Sequence, residues 1–423
     1  MKEDFLHYVW KHQAFNTLNL KSTVGESVQV VYPGVFNTNA GPDFLQAKVY
    51  INGVLWAGHV EMHLKASSWY QHGHQNDENY KNVILHVVWE ADSEVYTTGK
   101  TPIPTLELQP FVSQGLLSRY QELVNQPLSF INCEKDCTSV SPFIWENWLE
   151  KLYIERLEAK CISIESQLNE TQNDWEAVLF LMLMKNFGLK VNGQSFESIA
   201  QNVPFQVVRK LNGNQMALEA LFLGLGSLFD GEIDDPYFNS LKKEFIYLKN
   251  KFGLSQEFVK PVQFFRLRPA NFPTIRLSQL AMLYANSNTL FSELMKTETL
   301  EGYYRILNVK TSSYWESHYN FGKKSVQQPK HLTKSFLHLL LINTMLPLKF
   351  AYMRHTGSNE TDGILSLVKS ILPEANTVLN GYKKAGLPVE NALKSQAFLQ
   401  LYNRYCTKNK CLQCEVGNVL LRK

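Results

Sequence analysis

Two carboxylates and a histidine between residues 41 and 90 are the side chains best suited to chemistry. Asp43 follows a Gly-Pro pair, and Glu61 lies further along the same region. Two such carboxylates can bind one hard divalent cation, such as Mg²⁺ or Mn²⁺, and leave positions open for water. His63 is a candidate third ligand, and Lys65 is placed to stabilise developing negative charge. The pattern therefore predicts a hydrolytic metal site.

A β-hairpin is expected to position these residues. An Asn-Gly pair at 52–53 separates two runs in which apolar and polar residues alternate, 44–51 and 54–65. Asn-Gly favours a type I′ turn between paired strands. Because side chains alternate along a strand, Glu61 and His63 share one face of the second strand. A solvent-exposed sheet face with no chemical role would explain the same alternation more simply.

Further histidines follow the hairpin. His72 and His74 can offer two imidazoles to Zn²⁺ or Mn²⁺ if the backbone there is extended. In a helix the two side chains would point about 200° apart. The apolar run at 83–89 predicts a central strand that is buried on both faces. We therefore expect His86, within this run, to be a buried histidine that makes a hydrogen bond, and metal binding is the alternative.

The element order and two short motifs resemble the PD-(D/E)xK nuclease superfamily. The motifs are the Pro-Asp pair that ends at Asp43 and the Glu-Met-His segment at 61–63. The resemblance implies a restriction-endonuclease-like α-β-β-β-α-β core that binds Mg²⁺. Asp43 and Glu61 are then the metal carboxylates, and Glu3 on the first helix is a possible third.

The sequence departs from that superfamily at its lysine position. His63 stands there, and Lys65 lies one pleat further along the strand. Over its full length the chain also resembles an uncharacterised family of bacterial proteins, a domain of unknown function. That second resemblance implies no activity.

The apolar periodicity becomes helical after the sheet region. Ser141 and Pro142 match a helix cap followed by the first helical position. We predict an α/β domain over residues 1–125 and a linker over 126–140 that carries two cysteines. A mostly α-helical domain is expected over 141–423, and it ends in a cysteine-rich tail.

Grouped cysteines suggest a second metal centre. Cys406, Cys411 and Cys414 lie close together in the tail, and Cys133 or Cys137 is the expected fourth ligand. Four thiolates can hold Zn²⁺ or an iron–sulfur cluster. Some PD-(D/E)xK nucleases carry an iron–sulfur centre made of one distant and three clustered cysteines, and this arrangement resembles theirs. Free surface thiols are the alternative.

Three arginines lie around two prolines in the helical part. Arg266 and Arg268 point to the same side if the segment is extended, and Arg276 follows closely. Together they are candidates for gripping nucleic-acid phosphates. Salt bridges between helices explain them equally well.

Composition narrows the class of protein. The chain has 423 residues, of which 44% are hydrophobic and 19% charged, with a formal net charge of +3. Residues 1–125 hold 8 Lys and Arg against 12 Asp and Glu, whereas the remainder holds 34 against 27. The histidine-rich part is thus acidic, as suits a cation site. No apolar run is long enough to span a bilayer and the N-terminus does not resemble a signal peptide, so we expect a cytoplasmic protein.

These patterns favour a metal-dependent nuclease that hydrolyses phosphodiester bonds in DNA or RNA. One alternative is a catalytically inactive protein that reuses the core to bind nucleic acid or a partner. In that case the replacement of the lysine by His63 reflects a loss of catalysis. Another is a zinc-dependent hydrolase of a small molecule, built on His63, His72 and His74.

Overall fold

A computed structural model describes residues 1–97, 99–124, 129–358 and 361–423. The chain divides into two compact units. The first comprises Met1–Trp148, Lys384–Leu387 and Leu401–Lys423, and the second comprises Leu149–Lys383 and Pro388–Gln400. This division differs from the predicted one, because the cysteine-rich tail belongs to the unit that contains the sheet. The predicted boundary at residue 125 and the first linker residues, 126–128, lie outside the described residues.

The first unit is built on a mixed sheet with helices around it. Its elements are α1 (Glu3–Lys11), β1 (Leu20–Lys21), β2 (Ser27–Tyr32), β3 (Val35–Phe36), β4 (Phe44–Ile51), β5 (Val54–Lys65), α2 (Ser68–Gln71), β6 (Val83–Glu90), β7 (Thr105–Glu107) and α3 (Gln114–Val124). The strand order is β1-β2-β4-β5-β6-β7, with β3 also paired to β4. The predicted mixed sheet is confirmed.

The hairpin β4–β5 forms where the Asn-Gly pair predicted it. Asn52 and Gly53 have φ angles of 51° and 78°, so both occupy the left-handed region that a type I′ turn requires. β5 pairs antiparallel with β4 on one side and parallel with β6 on the other. β5 is therefore an internal strand, and it carries the chemistry-bearing residues.

The two faces of β5 have different surroundings. Val60 and Met62 lie in the main hydrophobic core of this unit, together with Phe5 of α1. Glu61 and His63 alternate with them and are also buried, at 5% and 1% exposure. Burying polar groups to this degree requires partners, and these come from the loops around the strand.

One edge of β5 is left open beyond the start of β4. Phe44 is the first residue of β4 and pairs with Val60, whereas β5 continues to Lys65. The N–H groups of Met62 and Leu64 face this open edge, where the carboxylates of Asp43 and Glu3 respectively accept hydrogen bonds from them. The segment before β4 and the start of α1 thus bring acidic side chains beside β5.

The second unit is mostly helical, as predicted. Helices in and around it are α4 (Pro142–Glu170), α5 (Trp175–Phe187), α6 (Leu189–Gln201), α7 (Phe205–Lys210), α8 (Gln215–Leu225), α9 (Pro236–Phe252), α10 (Pro273–Asn286), α11 (Leu290–Lys296), α12 (Leu300–Ile306), α13 (Lys334–Leu340), α14 (Leu346–His355), α15 (Asp362–Ser370), α16 (Thr377–Lys384) and α17 (Ala392–Arg404). A two-stranded sheet, β8 (His318–Asn320) with β9 (Lys323–Lys324), interrupts them.

Two helical stretches are interrupted. α10 and α11 are separate helices, because the hydroxyls of Ser287 and Thr289 between them both donate to Glu293 and compete with helical hydrogen bonding. Between α13 and α14 the backbone forms a π-helical segment, Leu341–Met345. It precedes Pro347, whose ring has no N–H to donate to the preceding turn, and the wider turn accommodates that loss.

The continuous helical stretch Lys334–His355 has the length and apolar composition of a membrane span. Within its most apolar window, 67% is buried inside the protein. That burial is typical of a core helix in a globular unit.

Candidate metal centre

The loop before β4 holds Asp43 in place. Gly41 has a φ of 103°, a backbone conformation that residues other than glycine rarely adopt. The side chain of Asn37 donates to the carbonyl of Pro42 at 3.0 Å, and its backbone N–H donates to the carbonyl of Asp43 at 2.7 Å. These local contacts therefore fix the backbone position of Asp43, from which its carboxylate extends.

The Asp43 and Glu61 side chains lie next to each other. The backbone N–H of Asp43 donates to Glu61 Oε2 at 3.2 Å, and the N–H of Met62 donates to Asp43 Oδ2 at 3.1 Å. Burial raises the pKa of Glu61, and the nearby charge of Asp43 raises it further, whereas a hydrogen bond with His74 opposes the increase. A cation at this position would relieve the repulsion between the two carboxylates.

His7 joins this group, although it is not among the residues predicted from the sequence. Its Nε2 lies 3.3 Å from Asp43 Oδ2. Burial lowers the pKa of His7, but the hydrogen bond and charge of Asp43 outweigh it, and the net pKa is raised. Glu3 and His7 are four residues apart on α1, so they share a helix face. That spacing is the sequence signal that could have identified His7.

Three imidazoles converge beside Glu61, and two of them approach its other oxygen. The candidate ligand atoms of His63, His72 and His74 all lie within 4.8 Å of one another. His63 Nε2 is 3.1 Å from His72 Nδ1, and Glu61 Oε1 is 3.3 Å from His74 Nε2 and 3.6 Å from His63 Nε2. Imidazole nitrogens with one carboxylate oxygen are a donor set that suits a transition-metal ion.

A turn at Gly73, and not an extended backbone, brings His72 and His74 together. His72 ends α2, Gly73 has φ 74° and ψ 20°, and His74 begins a short 3₁₀ segment. The left-handed residue reverses the chain, so the two imidazole centroids lie 5.4 Å apart. We expected the two imidazoles to face one metal ion only if the backbone were extended, but a left-handed turn brings them together instead.

We expect Gly73→Ala to weaken metal binding at the histidines. A Cβ at Gly73 meets no atom within 4 Å, so the substitution strains only the backbone, at a cost of about 1–2 kcal/mol. Gly53→Ala is a matched control, because Gly53 also has positive φ and open space around it. Urea unfolding should show similar destabilisation in both variants, and zinc titration should show weaker binding in Gly73→Ala alone. Equal affinities would contradict this role of the turn.

His86 orients His63 from the neighbouring strand. His63 Nδ1 and His86 Nε2 are 2.9 Å apart, and His86 is fully buried. This contact leaves His63 Nε2 directed towards His72, as expected of a metal-binding imidazole whose other nitrogen is held by a partner. Burial, reinforced by the other histidines, lowers the pKa of His63 to about 2; for His86, burial and the charge of His74 lower it to about 3. Both imidazoles are therefore neutral at pH 7.

The metal-free protein is expected to lose stability on acidification. The unfolded chain protonates these imidazoles near pH 6.5, whereas the folded chain does so only near pH 2–3. Below pH 6.5 the unfolded state binds more protons, so the free energy of unfolding falls by up to about 1.4 kcal/mol per pH unit for each imidazole. The raised pKa of Glu61 acts in the opposite direction and reduces this slope.

Urea unfolding in chelator between about pH 7 and pH 4 measures this dependence. His86→Gln removes one buried imidazole and should make the slope shallower. A slope that is unchanged in His86→Gln would contradict the assignment.

Lys65 is not brought into the cluster. Its side chain is 57% exposed, and its Nζ lies 3.5 Å from Glu90 Oε2 on β6. A cleft instead adjoins the centre at His74, and its lining includes Trp56, Tyr80 and Lys81. The cleft therefore opens beside one member of the histidine cluster.

Four cysteines of the first unit line one pocket. They are Cys133, Cys406, Cys411 and Cys414. Burial raises the pKa of the Cys133 thiol, and the charges of the other cysteines raise it further. Burial also raises the pKa of Cys414, to about 11. Metal binding at this pocket would therefore have to displace protons from thiols.

Cys137 has a different environment from Cys133. Its thiol donates to the carbonyls of Glu134 and Ala385 at 3.3 and 3.6 Å, and it does not line the pocket. The structure therefore places Cys133, and not Cys137, beside the tail cysteines. Among the described residues, no three of these sulfur atoms lie within 4.8 Å of one another.

The tail is held against the cysteine pocket by a terminal helix. This helix, α18 (Glu415–Arg422), begins directly after Cys414. A Cβ at Gly417 would lie 2.1 Å from the carbonyl of Cys411, so only glycine allows this close approach. The Arg119 side chain of α3 donates to the carbonyl of Leu421 at 3.0 Å.

The structure separates the three candidate arginines. Arg266 and Arg268 are exposed. Arg276 is buried at 5% exposure, with its guanidinium 3.6 Å from the centroid of the Phe336 ring and bonded to Gln279. Arg276 therefore supports the helical unit and is not part of an exposed phosphate-binding surface.

Comparison with known proteins identifies a family but no activity. Neither the search of curated proteins nor the search of solved structures gives a match. One family model, described as "Protein of unknown function (DUF2851)", matches residues 3–377. This range includes the sheet, the histidine cluster and most of the helical unit. The chain therefore belongs to the DUF2851 family of proteins of unknown function.

Proposed function

We propose that the protein is a divalent-metal-dependent phosphodiester hydrolase that acts on nucleic acid. The observation that carries the proposal is the adjacency of Asp43 and Glu61 at the open edge of β5, with His63 on the same strand. Glu61 lies on an internal strand and Asp43 directly precedes one, so the sheet holds both carboxylates in place.

The residues have separable roles in this proposal. A divalent cation such as Mg²⁺ or Mn²⁺ would acidify a water molecule and neutralise charge on the phosphoryl group. Asp43 and Glu61 hold that cation, and His7 lies where it can accept the proton of the attacking water. His63 stands in place of the lysine of PD-(D/E)xK nucleases. Being neutral, it can act as a ligand but adds no positive charge.

The topology supports a restriction-endonuclease-like core. α1, β2, β4, β5, α2 and β6 follow the α-β-β-β-α-β order, with β4 antiparallel and β6 parallel to β5. The second helix is short, because the segment after α2 continues as 3₁₀ turns that carry His74.

We infer that the four-cysteine pocket binds an iron–sulfur cluster. One distant cysteine and three clustered ones line this pocket, which is the arrangement that some PD-(D/E)xK nucleases use for such a cluster. Zinc is the alternative, and elemental analysis distinguishes the two.

Nucleic acid is the proposed partner of both units. Arg266 and Arg268 remain candidate phosphate contacts because both are exposed, but the segment is a turn with Arg266 at φ 60° and not the extended backbone that we expected. Replacing either should weaken binding similarly for all sequences and reduce its salt dependence.

A zinc-dependent hydrolase of a small molecule is the second candidate. The cleft beside His74 and the three converging imidazoles favour it. A catalytically inactive binding protein is the third, and it would retain nucleic-acid affinity without metal-dependent cleavage.

One assay tests these functions together. The full chain is incubated with single- and double-stranded DNA and RNA, a small phosphodiester and a small carboxylic ester, each with Mg²⁺, Mn²⁺, Zn²⁺ or chelator. We expect metal-dependent cleavage of a polymer that is lost in Asp43→Asn and kept in Asp92→Asn, whose carboxylate binds Ser67 outside the centre. Cleavage of small substrates alone would support the second candidate, and binding without cleavage the third.

A further inference from the structure

We propose that the centre holds two divalent cations of different chemical kinds, with Glu61 as the ligand they share. The carboxylate position consists of Asp43, with His7 beside it as the proton acceptor, and the histidine position consists of His63, His72 and His74. This inference rests on the proposed function, because the carboxylate position is the one assigned there to Mg²⁺ or Mn²⁺.

Glu61 directs one oxygen towards each position. Its Oε1 is 3.3 Å from His74 Nε2 and 3.6 Å from His63 Nε2. Its Oε2 instead accepts the N–H of Asp43 at 3.2 Å. A carboxylate whose two oxygens face different donor sets can bind one ion through each oxygen.

The two donor sets select different metals. The histidine position offers three nitrogens and one oxygen, which matches a four-coordinate zinc ion bound at about 2.0–2.1 Å. The observed separation of 3.1 Å between His63 Nε2 and His72 Nδ1 is close to the spacing such a site needs. The carboxylate position offers mainly oxygen, with Glu3 half-buried nearby, and suits a harder ion that keeps several waters.

The charges also support two ions. Asp43 and Glu61 are adjacent carboxylates, and Glu3 accepts the N–H of Leu64 on the strand that carries Glu61. Three ionised carboxylates carry a charge of −3, which exceeds the +2 of one divalent cation. Paired cations about 3.5–4 Å apart can stabilise both the attacking and the leaving oxygen in phosphodiester hydrolysis.

Three matched variants test the assignment without measuring activity. His72→Ala removes an exposed ligand of the histidine position, Asp43→Asn changes the carboxylate position, and His59→Ala is the control on the same strand. Each full-length protein is dialysed to equilibrium with zinc and Mn²⁺, and bound metal is measured by elemental analysis. Metal held by the cysteines is common to all samples and cancels in the comparison.

We expect His72→Ala to lose about one equivalent of zinc and keep its Mn²⁺. Asp43→Asn should lose Mn²⁺ and keep zinc, and His59→Ala should match the parent protein. Loss of both metals together in either variant, or unchanged zinc in His72→Ala, would overturn the two-cation assignment. Far-UV circular dichroism identifies a variant that has misfolded, in which case His74→Gln replaces His72→Ala.

The outcomes separate this inference from the proposed function. Two independently lost metals without polymer cleavage would sustain the inference and refute the nuclease. Polymer cleavage by a protein in which one substitution removes both metals together would sustain the nuclease and refute the inference.

Discussion

Replacing Cys133 with serine is expected to remove the metal from the cysteine pocket and to lower the free energy of unfolding by on the order of 5 kcal/mol. Cys133 is the member of the set that comes from outside the tail, so it links the tail cysteines to the segment after α3. Without a fourth thiolate the remaining three hold a cluster or zinc weakly. Iron, sulfide and zinc analysis of anaerobically purified protein, a visible absorption spectrum and urea unfolding measure the effect.

Cys137→Ser is the matched control for that variant. The same substitution is made four residues away, at a buried thiol that donates to two backbone carbonyls. A serine hydroxyl can donate to the same carbonyls, so we expect full metal content. Equal metal loss in the two variants would refute the choice of Cys133 as the fourth ligand.

The second large effect is expected at His63. His63→Asn should lower metal-dependent hydrolysis by on the order of 100-fold or more, because losing a ligand costs at least as much as losing a residue that orients one. The substitution removes the Nε2 that approaches Glu61 and His72. Rates at several metal concentrations separate weaker metal binding from slower chemistry.

His59→Asn is the control for His63, because it changes the same residue type on the same strand. His59 accepts a hydrogen bond from the backbone of Gln46 and lies outside the cluster. Its replacement should leave rate and metal affinity near those of the parent protein. If His59→Asn were as defective as His63→Asn, a general effect on β5 would explain both results.

Local patterns predicted the hairpin well because its determinants are local. The Asn-Gly turn and the alternation along 44–51 and 54–65 need no distant contact to be recognised. The same alternation placed Glu61 and His63 on one face of β5. The start of α4 at Pro142 followed equally from its cap and its proline.

Other features depend on contacts between residues distant in sequence. The spacing of His7 from Glu3 indicates a shared helix face, but His7 reaches Asp43 only because α1 packs across β5. The selection of Cys133 over Cys137 likewise depends on where the tail folds back. Spacing along the chain treats these two cysteines as equivalent.

By itself, the sequence determined the strand and helix segments, the face of β5 that carries Glu61, and the residue types available for metal binding. Only the tertiary structure decided which of those residues meet. Secondary structure follows from short-range periodicity and turn chemistry, whereas a metal centre requires side chains from separate segments to converge within a few ångströms. At Gly73 and at the open edge of β5, that convergence depends on a single backbone turn and on where one strand ends.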